Sequence, residues 1–193
     1  VIGSSYEECR AESVGIYLCT EPRVMDIFGH TENADDVMYI NWLHMARAGI
    51  LALLYYDPQK QKWQQAHMQA RFAILQVMLE AGQGFLELNS ATTSTSAATA
   101  TQISMDRSKI LTVGKLAIGK FLTKIQVFKA TADYDSAKTM YDTYTTVDER
   151  MLKLRDEVIA CRKPRKLFCQ PHLQLNEDSQ TVEMIEFPAS DMG

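Results

Sequence analysis

The chain has 193 residues, enough to bury one sizeable core or to form one domain with a small appendage. Its 20 basic and 24 acidic residues leave a formal charge of −4, which excludes the broad positive face that nucleic acids demand. Arg162-Lys163-Pro164-Arg165-Lys166 is a local exception. No apolar run approaches the roughly 18–20 residues of a membrane span, so neither nucleic acid nor membrane is an expected partner. The start at Val1-Ile2-Gly3 carries no signal pattern and reads as the beginning of a fragment. Cys9, Cys19, Cys161 and Cys169 form no CxxC pair, and the expectation is reduced thiols in a cytoplasmic protein.

In chain order, the first predicted element is a helix that starts at Ser4-Ser5 and stops near Pro22, which cannot continue it. Ser4 precedes Glu7 by three residues and Ser5 precedes Glu8 by three, the spacing of a capping box. Pro22 to Gly29 reads as a short helix stopped by Gly29, and His30 to Asn33 as a loop. A long helix is predicted from about Asp35 to Tyr56, with apolar residues spread around it, and a second from about Lys62 to Ala81, capped by Gly82.

Phe85-Leu86-Glu87-Leu88 alternates like a strand, with Gln102 to Met105 as its partner. Ser90 to Thr101, almost wholly Ala, Thr and Ser, is expected to be a mobile hairpin loop. Helices follow at Gly114 to Ala130, Tyr134 to Tyr144 and Asp148 to Arg162, then short strands at Lys166 to Leu175 and Thr181 to Phe187. The fold class is mainly α, with a small β hairpin and a short β-like C-terminal tail. Trp42, Trp63, Met38, Met45, Met68 and Met78 are assigned to the core.

Chemistry concentrates in Glu7-Glu8-Cys9-Arg10-Ala11-Glu12. Glu8 and Glu12 share a helix face with Ala11 and Gly15, and like charges at that spacing repel by a few tenths of a kcal/mol. Arg10 lies on a different face and is a poor counter-charge; a bound metal, or histidines brought in by a packed neighbouring helix, fits better. The spacing alone is equally met by first-turn acids that favour the helix dipole. His67 and Arg71, four apart, project together from the second long helix; by themselves they fit a satisfied histidine beside a surface ion pair.

These residues resemble the E-E-C-R-A-E motif of the dipeptidyl peptidase III family of zinc peptidases. The resemblance continues through Ser13-Val14-Gly15, Val37 to Leu43, Arg47-Ala48-Gly49, Gln65 to Phe72, Leu79 to Gly82, Asp106 to Lys109 and Arg165-Lys166-Leu167, in the family's order. It implies residues 1–164 as the helical lobe that holds zinc, and 165–193 as the crossover and partial β tail of a second lobe.

The resemblance also assigns roles. Glu8 matches the zinc ligand, while Glu7 and Glu12 match carboxylates that orient the zinc histidines. His67 matches a catalytic histidine beside the scissile carbonyl. Arg71, Arg165, Lys166 and Ser4 match substrate-binding positions. The family's H-E-x-x-G-H motif does not occur here: His30, His44, His67 and His172 show no ligand spacing. Two histidine ligands and the general base are therefore expected outside this chain, with one Zn2+ per full-length protein.

The implied function is the C-terminal part of a zinc-dependent dipeptidyl peptidase that releases dipeptides from oligopeptide N-termini, inactive without the remainder of its parent chain. The alternative is a non-catalytic helical module for peptide or protein interaction on the same scaffold. The face carrying Glu8, Glu12 and His67 is expected to be open to solvent or covered by a second copy.

Overall fold

The computed structural model describes residues 3–92, 99–161 and 172–185. It divides into two compact units, residues 1–161 and 162–193. Within the described residues the first unit is mainly helical: α1 (Gly3–Leu18), α2 (Pro22–Ile27), α3 (Ala34–Leu51), α4 (Ala66–Glu80), α5 (Lys115–Ala130), α6 (Tyr134–Thr145) and α7 (Glu149–Ala160). Two antiparallel ladders interrupt the helices, β1 (Tyr56–Asp57) with β2 (Lys62–Trp63) and β3 (Leu86–Thr92) with β4 (Thr99–Met105).

Helix α4 is the centre of the unit. Ala70, Phe72, Ala73, Ile74, Leu75, Val77 and Met78 are all buried, on every side of the cylinder, because α1, α3, α5 and α6 all pack against it. A helix apolar all round has to lie inside the protein. Trp42 of α3, Phe85 and Tyr141 of α6 are buried around it.

Several boundaries differ from expectation. Ser4 and Ser5 lie inside α1 rather than capping it, and Glu7 and Glu8 fall beyond its first turn. The second long helix begins at Ala66, not at Lys62. Asp57 accepts the backbone N–H groups of Gln59 at 3.0 Å and Lys60 at 3.1 Å, folding the chain back into the β1–β2 ladder. Gln65 then caps α4 by accepting from Met68 N at 2.7 Å. The long helix before it ends at Leu51 and tightens into a 3-10 turn, Ala52–Tyr55.

Residues expected in a mobile loop are partly strand. The β3–β4 ladder runs to the pair Thr92↔Thr99, and 93–98 lie outside the described residues. A π-type turn, Ile110–Gly114, precedes α5. Gly29 and Gly82 take φ of +76° and +63° just past α2 and α4, as their stop roles require. The stretch Ala34–Tyr55 reaches a mean hydropathy of 1.3, long and apolar enough by composition to cross a membrane, contrary to the sequence reading. The reading missed it because two acids open the helix and polar residues punctuate it. Here Trp42, Ala46, Gly49 and Ile50 are buried in the helical core.

The second unit contains the antiparallel hairpin β5 (His172–Asn176) with β6 (Thr181–Ile185). Leu173 pairs with Met184 and Leu175 with Val182, and all four side chains are exposed.

The tightest helix crossing gives a stability test. A Cβ added to Gly49 would stand 2.5 Å from Leu75 Cβ and 2.8 Å from the Arg71 carbonyl, so α3 and α4 would have to separate. Gly49→Ala is expected to cost about 1–3 kcal/mol despite its better helix propensity. Gly15 on the outside of α1 has nothing within 4 Å of a new Cβ. There Gly→Ala should stabilise by up to about 1 kcal/mol. Urea unfolding midpoints of the two variants should move in opposite directions.

Candidate functional site

The buried residues of α1 are Ser5, Tyr6, Cys9, Ser13 and Ile16, a single stripe turned toward the core. Small side chains on that stripe let α1 lie close to α4, and Cys9 Sγ sits 3.8 Å from the Ala70 carbonyl. Burial pushes the Cys9 thiol up to about 12, so it packs as an apolar group and not as a thiolate. The neighbouring stripe, with Ala11 and Gly15, is exposed, and Glu8 and Glu12 stand along its edge where α4 comes alongside.

Four predicted site residues meet there. His67 Nδ1 lies 3.2 Å from Glu8 Oε2 and 3.3 Å from Glu12 Oε1. Arg71 Nε donates to Glu12 at 2.8 Å (Oε2) and 3.0 Å (Oε1). The two like charges of α1 are thus offset by the i, i+4 pair on α4, as the repulsion argument required. Both carboxylates address Nδ1, which places a ring proton there and leaves Nε2 as the second functional atom. The face is half open: the His67 side chain is 45% exposed and that of Glu8 34%, against 15% for Glu12. Glu12 is therefore committed to α4, while Glu8 keeps a solvent-facing side.

The other candidates are placed elsewhere. Glu7 turns toward α5, held by the Lys129 ammonium, and also accepts from Arg10 Nε at 3.2 Å and Nη2 at 3.1 Å. The Lys129 hydrogen bond, supported by Arg10 and only partly opposed by burial, lowers the Glu7 carboxyl from its ordinary 4.5. Ser4 is exposed at the start of α1. Arg165 and Lys166 lie outside the described residues.

Sequence reasoning missed the support beneath this face. Ser5 Oγ donates to the Ala66 carbonyl at 3.2 Å, and Tyr141 Oη donates to the Ser5 carbonyl at 3.0 Å. The two hydroxyls also contact each other. Tyr141 is fully buried, and Tyr6 meets its ring edge-on at 5.5 Å. No local sequence signal marks Tyr141, since its partners come from the opposite end of the chain.

Among the described residues, no group of three His, Cys, Asp or Glu side chains is arranged to hold a metal ion by itself. The donor chemistry nonetheless suits zinc, which accepts carboxylate and imidazole ligands. A carboxylate offers about four lone-pair directions, so contact with His67 does not exhaust Glu8.

The model described as Peptidase family M49 matches residues 1–193. The chain is 49% identical over 193 residues to "Dipeptidyl peptidase 3" of Nematostella vectensis, an alignment covering 100% of this chain and 26% of that protein. It is 48% identical over 197 residues to the protein of the same description from Homo sapiens, covering 100% and 26%. The corresponding Dictyostelium discoideum protein is 42% identical over 198 residues, covering 100% and 27%. The chain thus spans about a quarter of the length of these curated relatives.

The lowered Glu7 carboxyl sets a pH test. A group whose folded-state value is depressed stabilises fully above its unfolded value and loses that contribution as pH falls through the folded one. Both partners are 41% exposed, so the contribution is at most about 1 kcal/mol and is screened by salt. Glu7→Gln should be slightly less stable than the parent sequence at pH 7. Thermal unfolding followed down through the carboxylate range should show the gap closing.

Proposed function

This chain belongs to peptidase family M49, and from that premise we propose that it is the C-terminal part of a zinc-dependent dipeptidyl peptidase. The whole protein would release dipeptides from the N-termini of oligopeptides. The observation that carries this reading is the convergence of Glu8, Glu12, His67 and Arg71 on one half-open face. Pure scaffolding has no use for two stacked carboxylates beside exposed small residues, whereas a cleft wall does.

In this reading Glu8 would hold the zinc, with two histidines supplied by the remainder of the parent chain, which is thereby this chain's obligatory partner. Bound zinc would polarise the scissile carbonyl and lower the pKa of a coordinated water. Glu12 and Glu8 fix the His67 ring through Nδ1, so that Nε2 can address the carbonyl oxygen as charge develops on it. Arg71, braced by Glu12 through Nε, keeps its terminal N–H groups for a peptide carbonyl or carboxylate. Ser4, Arg165 and Lys166 would contact substrate further along the cleft, and Glu12 would steady one of the metal's histidines, whereas Glu7 is occupied by Lys129 and Arg10 on the α5 side. Alone, the 193 residues would not hydrolyse peptides. The proposed setting is cytoplasmic, where Cys9, Cys19 and Cys161 would stay reduced.

The decisive test compares the full-length parent with its Glu8→Ala variant. The parent should bind about one zinc and cleave a dipeptidyl-naphthylamide; the variant should lose both metal and activity. A metal-free parent, or a variant with unchanged zinc and turnover, would make the acidic helix a scaffold element and favour the interaction-module reading.

A further inference from the structure

The face just described rests on a buried polar joint that none of the site residues belongs to. Tyr141 reaches from α6 to the first turn of α1, donating to the Ser5 carbonyl at 3.0 Å and touching the Ser5 hydroxyl. Ser5 in turn donates from Oγ to the carbonyl of Ala66, the first residue of α4, at 3.2 Å. Two hydroxyl protons are thus shared among three acceptors, the Ser5 carbonyl, the Ala66 carbonyl and the hydroxyl oxygen of the partner, and tie together the starts of two helices. Glu8 follows Ser5 by three residues on α1, and His67 follows Ala66 directly on α4. The 3.2 Å approach of Glu8 Oε2 to His67 Nδ1 lies about one helical turn from this joint.

The joint is the buried polar tie between the two starts, whereas the pairs from Glu8 and Glu12 to His67 and Arg71 cross from α1 to α4 at the half-open face. Elsewhere on the buried stripe of α1, Cys9 meets the Ala70 carbonyl through sulfur at 3.8 Å, a weak contact. Apolar packing alone permits small sliding of one helix past another, whereas a buried hydrogen-bonded hydroxyl pair specifies a single arrangement. Tyr141 is fully buried and braced by Tyr6, whose own Oη donates to the Ile125 carbonyl of α5 at 3.1 Å. Tyr141 thus enters from α6, outside the α1–α4 pair, and the Tyr6 ring of α1 that it meets is itself anchored to α5.

We infer that Tyr141 is a positioning residue for the proposed peptidase site: through Ser5 it sets the register of α1 against α4 and so the placement of Glu8 relative to His67. This rests on the proposed function above. Tyr141 touches neither substrate nor metal. Its hydroxyl acts on turnover through geometry, and a catalytic group displaced by a fraction of an ångström loses rate more than substrate affinity.

The test uses the full-length parent, with Tyr141→Phe, Ser5→Ala, the double variant and Ser5→Thr. The phenylalanine keeps the buried ring and removes the oxygen alone. Tyr141→Phe is expected to lower kcat on the order of tenfold or more with KM within about twofold, at unchanged zinc content. Ser5→Ala should do the same and the double variant no worse, since both remove one joint. Ser5→Thr should restore most of the turnover. If Tyr141→Phe lowers only the melting temperature and leaves kcat per folded molecule unchanged, the residue is structural and the inference is overturned. Additive losses in the double variant overturn it too. If Tyr141→Phe does not fold, Ser5→Ala against Ser5→Thr decides the matter by the same kcat criterion. Glu8→Ala run alongside separates the two failures: a fully active Glu8→Ala sinks the placement of the reactive site at Glu8 and His67, whereas an inactive one beside a fully active Tyr141→Phe sinks only the role of Tyr141.

Discussion

The constraint on which the first unit depends is that α4 must be buried on nearly every side and still deliver two charged side chains to a surface. From Phe72 onward the helix is surrounded, with Phe72, Ile74, Leu75 and Met78 fully buried. His67 and Arg71 project where its first turns emerge beside α1. Burial of the C-terminal half anchors α4 against rotation. Each Leu- or Phe-sized side chain buried contributes about 1.5–3 kcal/mol. A rotation that moved His67 away from Glu8 would carry several such residues out of the core. Side chains at the rim are held in place by packing much further in.

That anchoring lets the polar side of the interface be spent on electrostatics. Glu8 and Glu12 repel each other mildly, and Glu12 at 15% exposure is also partly desolvated. Arg71 removes most of this penalty through its two contacts to Glu12, and His67 bridges both acids. Glu7 belongs to a separate account. It faces α5, where Lys129 and Arg10 neutralise it, so three acids within six residues are divided between two neighbouring helices. A cluster that reads as one patch in sequence is two contacts in space.

The parts of the fold legible in the sequence were those with local causes. Pro22, Gly29 and Gly82 punctuate helices by backbone geometry: Pro22 opens α2, and Gly29 and Gly82 follow the ends of α2 and α4. The unreadable parts had distant or competing causes. Ser5 sits at capping-box spacing before Glu8, yet its hydroxyl is taken by Ala66, 61 residues away, and Tyr141, 136 away. Lys62 and Trp63 carry no pattern that separates a strand from a helix start. The Asp57 turn decides for the strand, and the Trp63 indole completes it by donating to the Thr145 carbonyl at 2.9 Å. The hairpin ran longer than its apolar alternation because backbone pairing continued through Ala and Thr residues, whose side chains give no alternating signal. At the site, the i, i+4 spacing of His67 and Arg71 was visible, and so was the need for a counter-charge to Glu8 and Glu12. That the two answer each other depends on the α1–α4 crossing, which no local pattern encodes.

The asymmetry between Glu8 and Glu12 carries the argument furthest. Two identical side chains one turn apart on one helix differ more than twofold in exposure, and only Glu12 takes both Arg71 and His67. Were the pair no more than helix solvation, both would face water alike. Were both structural, both would be sunk into the α4 contact. Instead one carboxylate is bound into the wall and its neighbour stands at the edge with capacity left for another partner. In the proposed function, a carboxylate held by one contact and open on its other side would suit a metal site shared with donors from elsewhere in the protein, each fixed by its own surroundings.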